Sequence, residues 1–175
     1  MKPFALLFLL GVLFTNPVLA ERADRDKPVH LESDHATVKN TGLSNNENRV
    51  SVFTGNVVLT QGTMTIRSDK MEIEENKDGF QNFIAYGNLV SYRQKSEGKN
   101  EYVEGWGERM EFDSKTDKVE FFKQARLRRG ADEVHGEYIS YESTTEFFQV
   151  NNGTNTNAKN RVRAVIQQKK KKKNE

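Results

Sequence analysis

The chain contains no cysteine. That absence excludes disulfide staples, thiolate metal sites, a cysteine nucleophile and an N-terminal lipid-modified cysteine. Only three prolines occur in 175 residues, and nothing after residue 28 carries a ten-residue helical stripe. A long helix is therefore not expected in the body of the chain. Histidine is sparse too: His30, His35 and His135 are scattered, and no pair has metal-ligand spacing on a recognisable frame. There is no glycine-rich phosphate loop and no nucleophile elbow, and the basic residues are not interleaved with a stacking platform. These absences argue against nucleotide chemistry, serine hydrolysis and nucleic acid as a partner, and they leave no cofactor to expect.

The opening segment MKPFALLFLLGVLFTNPVLA has the parts of a secretory leader. Lys2 gives a positive start, Phe4 to Phe14 form an uncharged apolar core, and Val18-Leu19-Ala20 approximates a small-residue cleavage signal. An eleven-residue core interrupted by Asn16-Pro17 is well short of the roughly 20 residues that span a bilayer. The expected organisation is a leader over 1–20, one domain over 21–166 and a disordered lysine-rich tail over 167–175. Setting aside Lys2, the five lysines Lys169 to Lys173 and Glu175, the 27 basic and 25 acidic residues become 21 and 24. The body is mildly acidic, and the basic character belongs to the tail.

Periodicity of two predicts strands nearly everywhere after residue 28. In RMEFDSKTDKVEFF, residues 109–122, Met110 and Phe112 alternate with charges, Asp113 to Asp117 are turn formers, and Val119 and Phe121 resume the alternation. That is a hairpin. Other turn signals stand at Asn40-Thr41-Gly42, Gln61-Gly62, Asn76 to Gly79, Ser96 to Asn100 and Arg129 to Asp132. The architecture expected is all-β and antiparallel.

A phrase also recurs. Ser33-Asp34, Ser68-Asp69, Gly107-Glu108 and Gly136-Glu137 each place a small residue before a charged one and just ahead of an apolar-polar-apolar triplet. Between them, Phe53-Thr54-Gly55-Asn56-Val57 resembles Ala85-Tyr86-Gly87-Asn88-Leu89. The alternation slips parity at Ser68-Asp69-Lys70, as it does where a β-bulge adds a residue and bends a strand. Repeated bends predict a sheet curved about an apolar groove.

Alternation places Val29 and Leu31, Ala36 and Val38, Met64 and Ile66, Met71 and Ile73, Met110 and Phe112, and Ile139 and Tyr141 on one side. Such a surface is equally a closed core or the lining of a lipid-binding lumen, since Met and Phe suit both. Alternating carboxylates such as Glu72 and Glu74 mark a solvated face. An exported enzyme acting on envelope glycan would need paired acids in a polar cleft, and nothing in the pattern singles out a pair.

Several motifs in order resemble the OstA-like (LptA) family of periplasmic lipopolysaccharide-transport proteins. They are Pro28 to Asp34, Phe53 to Val57 with Thr60 to Thr63, Ile66 to Ile73, Tyr86-Gly87, Val103 to Gly105, Arg109 to Phe112, Val134 to Tyr141 and Arg161 to Ile166. The resemblance implies a twisted, slightly open antiparallel β-jellyroll built from repeated β units, and no enzyme activity. It implies lipopolysaccharide as ligand, with lipid A acyl chains lined by Val29, Leu31, Val38, Tyr92, Met110 and Phe112. Alternation adds Ile66, Met71, Ile73 and Tyr141 to that lining. It further implies end-to-end homo-oligomers that bridge an inner-membrane transporter complex to an outer-membrane lipopolysaccharide assembly complex. A membrane-anchored relative of the same fold is the alternative within the pathway. The sequence departs from the pattern after Ile166, where Gln167-Gln168 replaces the expected proline.

Overall fold

A computed structural model describes residues 22–40, 49–77, 79–96, 98–152 and 161–167. The leader over 1–20 and the lysine run Lys169 to Lys173 lie outside them, as does Thr41-Gly42 of the first turn signal. A four-residue helix, α1 (Arg22–Arg25), precedes ten strands. These are β1 (His30–Glu32), β2 (His35–Asn40), β3 (Arg49–Gln61), β4 (Met64–Asn76), β5 (Gly79–Lys95), β6 (Tyr102–Asp113), β7 (Lys118–Arg129), β8 (Asp132–Glu142), β9 (Phe147–Asn151) and β10 (Arg163–Val165). They form one antiparallel sheet in the order β1-β3-β4-β5-β6-β7-β8-β10, with β2 also on β3 and β9 also on β8.

The turns fall where turn formers stand. Asp113 closes the β6–β7 hairpin, its Oδ1 accepting the backbone N–H of Lys115 at 2.8 Å and of Thr116 at 3.2 Å. This is the local side-chain bond that favours Asp at turn starts. Gln61, Gly62, Thr63 and Met64 likewise carry β3 into β4.

Every long strand is broken near its middle. Pairing shifts between Thr54 and Val57, Arg67 and Lys70, Tyr86 and Val90, Trp106 and Arg109, and Phe122 and Ala125. The shifts line up across the sheet as one bend line, and the recurring phrases sit on it. Ile66 and Met71, five positions apart, are both fully buried as a result. Gly55 has a φ of 80°, and a Cβ there would stand 2.9 Å from Cβ of Asp34. The left-handed backbone and this close approach are why glycine occupies the position.

In three of the four small-acid pairs the acid docks onto the bend of the neighbouring strand. Asn56 Nδ2 donates to Asp34 Oδ2 at 3.0 Å, the Asn88 backbone N–H donates to Asp69 Oδ2 at 3.2 Å, and Gln124 Nε2 donates to Glu108 Oε1 at 2.9 Å. Asp69 thus satisfies a backbone N–H at the break in the ladder, while Asp34 and Glu108 hold side-chain amides of the neighbouring bend. The repeated phrase is thus a hinge and its fastener.

The bend divides the sheet into two arms. Arm I holds β1, β10 and the strand halves next to the Gln61, Ser96 and Arg129 turns; arm II holds β2, β9 and the halves next to the Asn76, Asp113 and Glu142 turns. The arms fold face to face. The Phe121 ring from arm II lies where a Cβ on Gly105 of arm I would meet it at 2.1 Å, and its centroid is 6.0 Å from that of Tyr92. The result is the twisted, open antiparallel jellyroll expected from the sequence.

Candidate apolar groove and its margin

Register carries apolar rows across each arm. In arm II, pairing links Val38, Ser51, Ile73, Phe83, Phe112, Val119, Tyr141 and Phe148 into one row. The next row runs through Phe53, Met71, Ala85, Met110, Phe121 and Ile139. Facing them in arm I are Leu31, Leu59, Ile66, Tyr92, Gly105, Leu127 and Val134. Paired residues share a face of an antiparallel sheet, so each row is one strip, apolar but for the buried Ser51 in arm II and Gly105 in arm I.

Most of the residues singled out in the sequence meet here. Ile66, Met71, Ile73, Tyr92, Met110 and Tyr141 are buried in the central cluster, while Val29, Leu31 and Phe112 are half-buried against it. Val38 differs: it lies in the arm II row at the β2 edge, is 58% exposed and stands outside the cluster. At the opposite end of the same row, Phe148 is 40% exposed. Both sit on sheet margins that no further strand among the described residues covers. Leu59, Phe83 and Phe121 join the lining without having been named as site residues; Leu59 is the register partner of Ile66, and Phe121 is that of Met110. The available signal was alternation within the same hairpins.

The interior between the arms is filled by these side chains, with Phe83 stacked on Phe112 at 5.0 Å. Open space lies instead at the margin opposite the bend line, in a cavity of about 750 Å³. Arm I lines it with Gln61, Met64, Lys95 and Ser96, and arm II with Phe112, Lys115, Asp117 and Tyr141. The chain just before β1 crosses this margin as a strap. Asp24, 5% exposed, accepts a hydrogen bond from Thr63 Oγ1, and Gln61 Nε2 donates to the carbonyls of Arg25 and Lys27 at 2.9 and 3.1 Å.

The groove becomes polar toward this margin. Tyr92 Oη donates to Gln94 Oε1 at 2.5 Å. Burial pushes the Tyr92 phenol well above its usual range, and the nearby Tyr141 and Asp24 push the same way. Tyr92 thus stays a neutral donor between apolar interior and polar rim.

Several outward-facing residues pair with one another. Glu120 takes hydrogen bonds from Lys118 and Tyr138, Arg126 pairs with Glu133 at 2.7 Å, and the Arg126 guanidinium lies 4.5 Å from the Trp106 ring centre. Trp106 is therefore already occupied as a stacking surface. Among the described residues no cluster of His, Asp and Glu is arranged to hold a metal, and no helix is long and apolar enough to cross a membrane.

Comparison with known proteins agrees with this geometry. The LptH crystal structure from Pseudomonas aeruginosa superposes with a TM-score of 0.71 at 22% identity, covering 83% of this chain and 99% of that one. It shows the same fold, in a protein described as the LptA-homologous periplasmic component of the lipopolysaccharide transport device. The lipopolysaccharide export system protein LptH of Pseudomonas aeruginosa is 24% identical over 167 residues, or 93% of this chain and 92% of that protein. The lipopolysaccharide export system protein LptA of Escherichia coli (strain K12) is 31% identical over 128 residues, or 71% of this chain and 65% of its own length. The match thus spans a little under two thirds of that relative. Residues 30–147 match the family model for the LptA/(LptD N-terminal domain) lipopolysaccharide transport protein. That stretch holds the bend line and nearly all of the apolar lining, and on it the chain belongs to the LptA/(LptD N-terminal domain) family of lipopolysaccharide transport proteins.

Proposed function

We propose that this chain is a non-enzymatic periplasmic carrier that shields the acyl chains of lipopolysaccharide between the inner and outer membranes of a Gram-negative cell. The observation that carries the reading is the pair of facing apolar rows, which run from one sheet margin to the other in a member of this transport family. The lining comprises Val29, Leu31, Val38, Ile66, Met71, Ile73, Tyr92, Met110, Phe112 and Tyr141, with Leu59 and Phe121 added by register. Shielding is worth about 0.8 kcal/mol per buried CH₂, so a lipid with several chains needs such a path through water. A groove offering similar affinity at each step lowers the barrier without giving direction. Direction comes from an ATP-driven transporter complex at the inner membrane, and an assembly complex receives the lipid at the outer membrane.

End-to-end homo-oligomers join those complexes through the open margins. β2, exposed along its whole length, offers one edge, and β9 and β10 offer the other, with Phe147, Phe148 and Val165 exposed. Joining such edges extends the sheet through unpaired backbone groups. It would also continue the apolar row that ends at Val38 and Phe148. Residues 1–20 serve as the export leader and the lysine-rich tail stays outside the domain.

A photo-crosslinking residue at Ile73 or Phe112, in cells making lipopolysaccharide, is expected to capture the lipid. Their outward strand neighbours Glu72 and Glu111 are expected not to. Capture at the glutamates but not at Ile73 or Phe112 overturns the reading.

A further inference from the structure

The geometry points to an ionic latch along the margin opposite the bend line, whose cations serve as the binding site for the phosphate groups of the carried lipid. The inference rests on the carrier reading above and assigns a role to a surface outside the apolar lining.

Three ion pairs cross this margin, and each has the same polarity. Arg25 of the strap meets Asp117 of the β6–β7 turn. Lys99, from the turn before β6, donates to Glu146 of the β8–β9 turn at 2.6 Å, and Arg129 at the end of β7 reaches the same carboxylate at 3.3 Å. All three cations belong to the arm I lip, and both carboxylates to the arm II lip. The residue pairs are distant in sequence, so the contacts report how the arms close and not a local turn. The cavity of about 750 Å³ lies beside the Arg25–Asp117 pair and opens onto Met64, Phe112 and Tyr141 of the apolar interior.

The packed interior gives this margin its importance. With Phe121 of arm II seated against Gly105 and packed on Tyr92 of arm I, acyl chains gain room between the arms only if the arms part. The bend line cannot part, because every long strand runs through it. The ion-paired margin can. Its cations are 58%, 46% and 34% exposed and so reachable from solvent, whereas Asp117 and Glu146 are 14% and 26% exposed; the pairs are screened on the cation side and hold the lips modestly.

An amphiphile with acyl chains in the groove must leave its headgroup at this margin. If the headgroup carries phosphates, they compete directly with Asp117 and Glu146 for Arg25, Lys99 and Arg129. Phosphate is the better partner for a guanidinium, with more acceptor oxygens and up to twice the charge. The ligand therefore supplies the charge that the opened lip loses, and the arm II carboxylates are released to water. A neutral lipid offers no such exchange.

The test uses the mature chain, bisphosphorylated lipid A, the same lipid with its phosphates removed, and inorganic phosphate as a competitor. The triple variant Arg25→Gln, Lys99→Gln, Arg129→Gln is expected to lose about tenfold in affinity for bisphosphorylated lipid A and to bind the dephosphorylated lipid as the unaltered chain does. The double variant Asp117→Asn, Glu146→Gln frees the cations and is expected to bind the bisphosphorylated lipid as well as or better than the unaltered chain. Its folding, followed by circular dichroism, provides the control that the lips are not needed for the sheet. Millimolar inorganic phosphate is expected to weaken only the bisphosphorylated complex.

Equal losses for both lipids in the triple variant overturn the latch while leaving the carrier reading intact, as does no loss for either. Failure of the unaltered chain to bind either lipid overturns the carrier reading and the latch together. Since the chain has no cysteine, a pair introduced by Arg25→Cys and Asp117→Cys can be joined selectively by a short bismaleimide. Joined lips are expected to exclude lipid that the unjoined double variant accepts. Equal binding before and after joining overturns entry through this margin.

Discussion

Along the bend line the two arms are continuous chain, turned by small residues, left-handed backbone at Gly55 and Asn56, and carboxylates that reach the next strand. Along the opposite margin no strand among the described residues crosses, and the arms meet through Arg25, Lys99 and Arg129 on one lip and Asp117 and Glu146 on the other. One margin is fixed by covalent geometry and buried packing, the other by exposed charge. The difference teaches where such a molecule can yield: ion pairs in water exchange partners at little cost, whereas a bend held by steric necessity does not.

The largest expected effect comes from loosening the packing that both margins share. Phe121→Ala removes the ring that fills the space above Gly105, and should cost about 3–5 kcal/mol of unfolding free energy in a urea titration. A loss below about 1 kcal/mol would mean that the arms are not closed on each other in solution. At the bend line, Gly55→Val places a branched side chain at positive φ against Asp34, and about 2 kcal/mol should be lost. Asp69→Ala, which leaves the Asn88 N–H without its acceptor, should cost about 1 kcal/mol by the same measurement.

At the ionic margin the effect on stability should be smaller than at either bend position. Asp117→Asn with Glu146→Gln should change it by less than about 1 kcal/mol, and the difference should vanish in 1 M salt. If these substitutions cost as much as Gly55→Val, the contrast between the two margins fails. The smallest expected effect lies on the outer face. Burial alone would raise the Glu120 carboxyl, but hydrogen bonds from Lys118 and Tyr138 outweigh it and hold it below its usual 4.5. A depressed carboxyl contributes stability that is present above its unfolded value and lost as pH falls through the folded one. Acid unfolding followed from pH 6 to 3 should therefore be slightly less steep in Glu120→Gln than in the unaltered chain.

The bends were legible because they need particular residue types. Ser68-Asp69, Gly107-Glu108 and Gly136-Glu137 interrupt a clean alternation, and the parity slip between Ile66 and Met71 is by itself the mark of a bulge. The apolar rows were legible for the same reason, since residues on one face of a strand keep a period of two on each side of the slip. Val38 shows where that logic stops. Alternation and register put it in the right row, but its place on β2, an edge strand among the described residues, leaves it 58% exposed. Phe83 and Leu59 were missed because sidedness along one strand does not say which rows of neighbouring strands coincide.

The sequence by itself determined the strands, the turns, the bend line and the apolar face, because each follows from local rules of period, sterics and backbone freedom. Only the tertiary structure decided how the arms meet. Arg25 and Asp117 are 92 positions apart, and nothing local relates Lys99 to Glu146. Their pairing depends on where the bend aims the two sets of turns. Charge has no period that betrays its partner, so the margin became visible only when the sheet was folded.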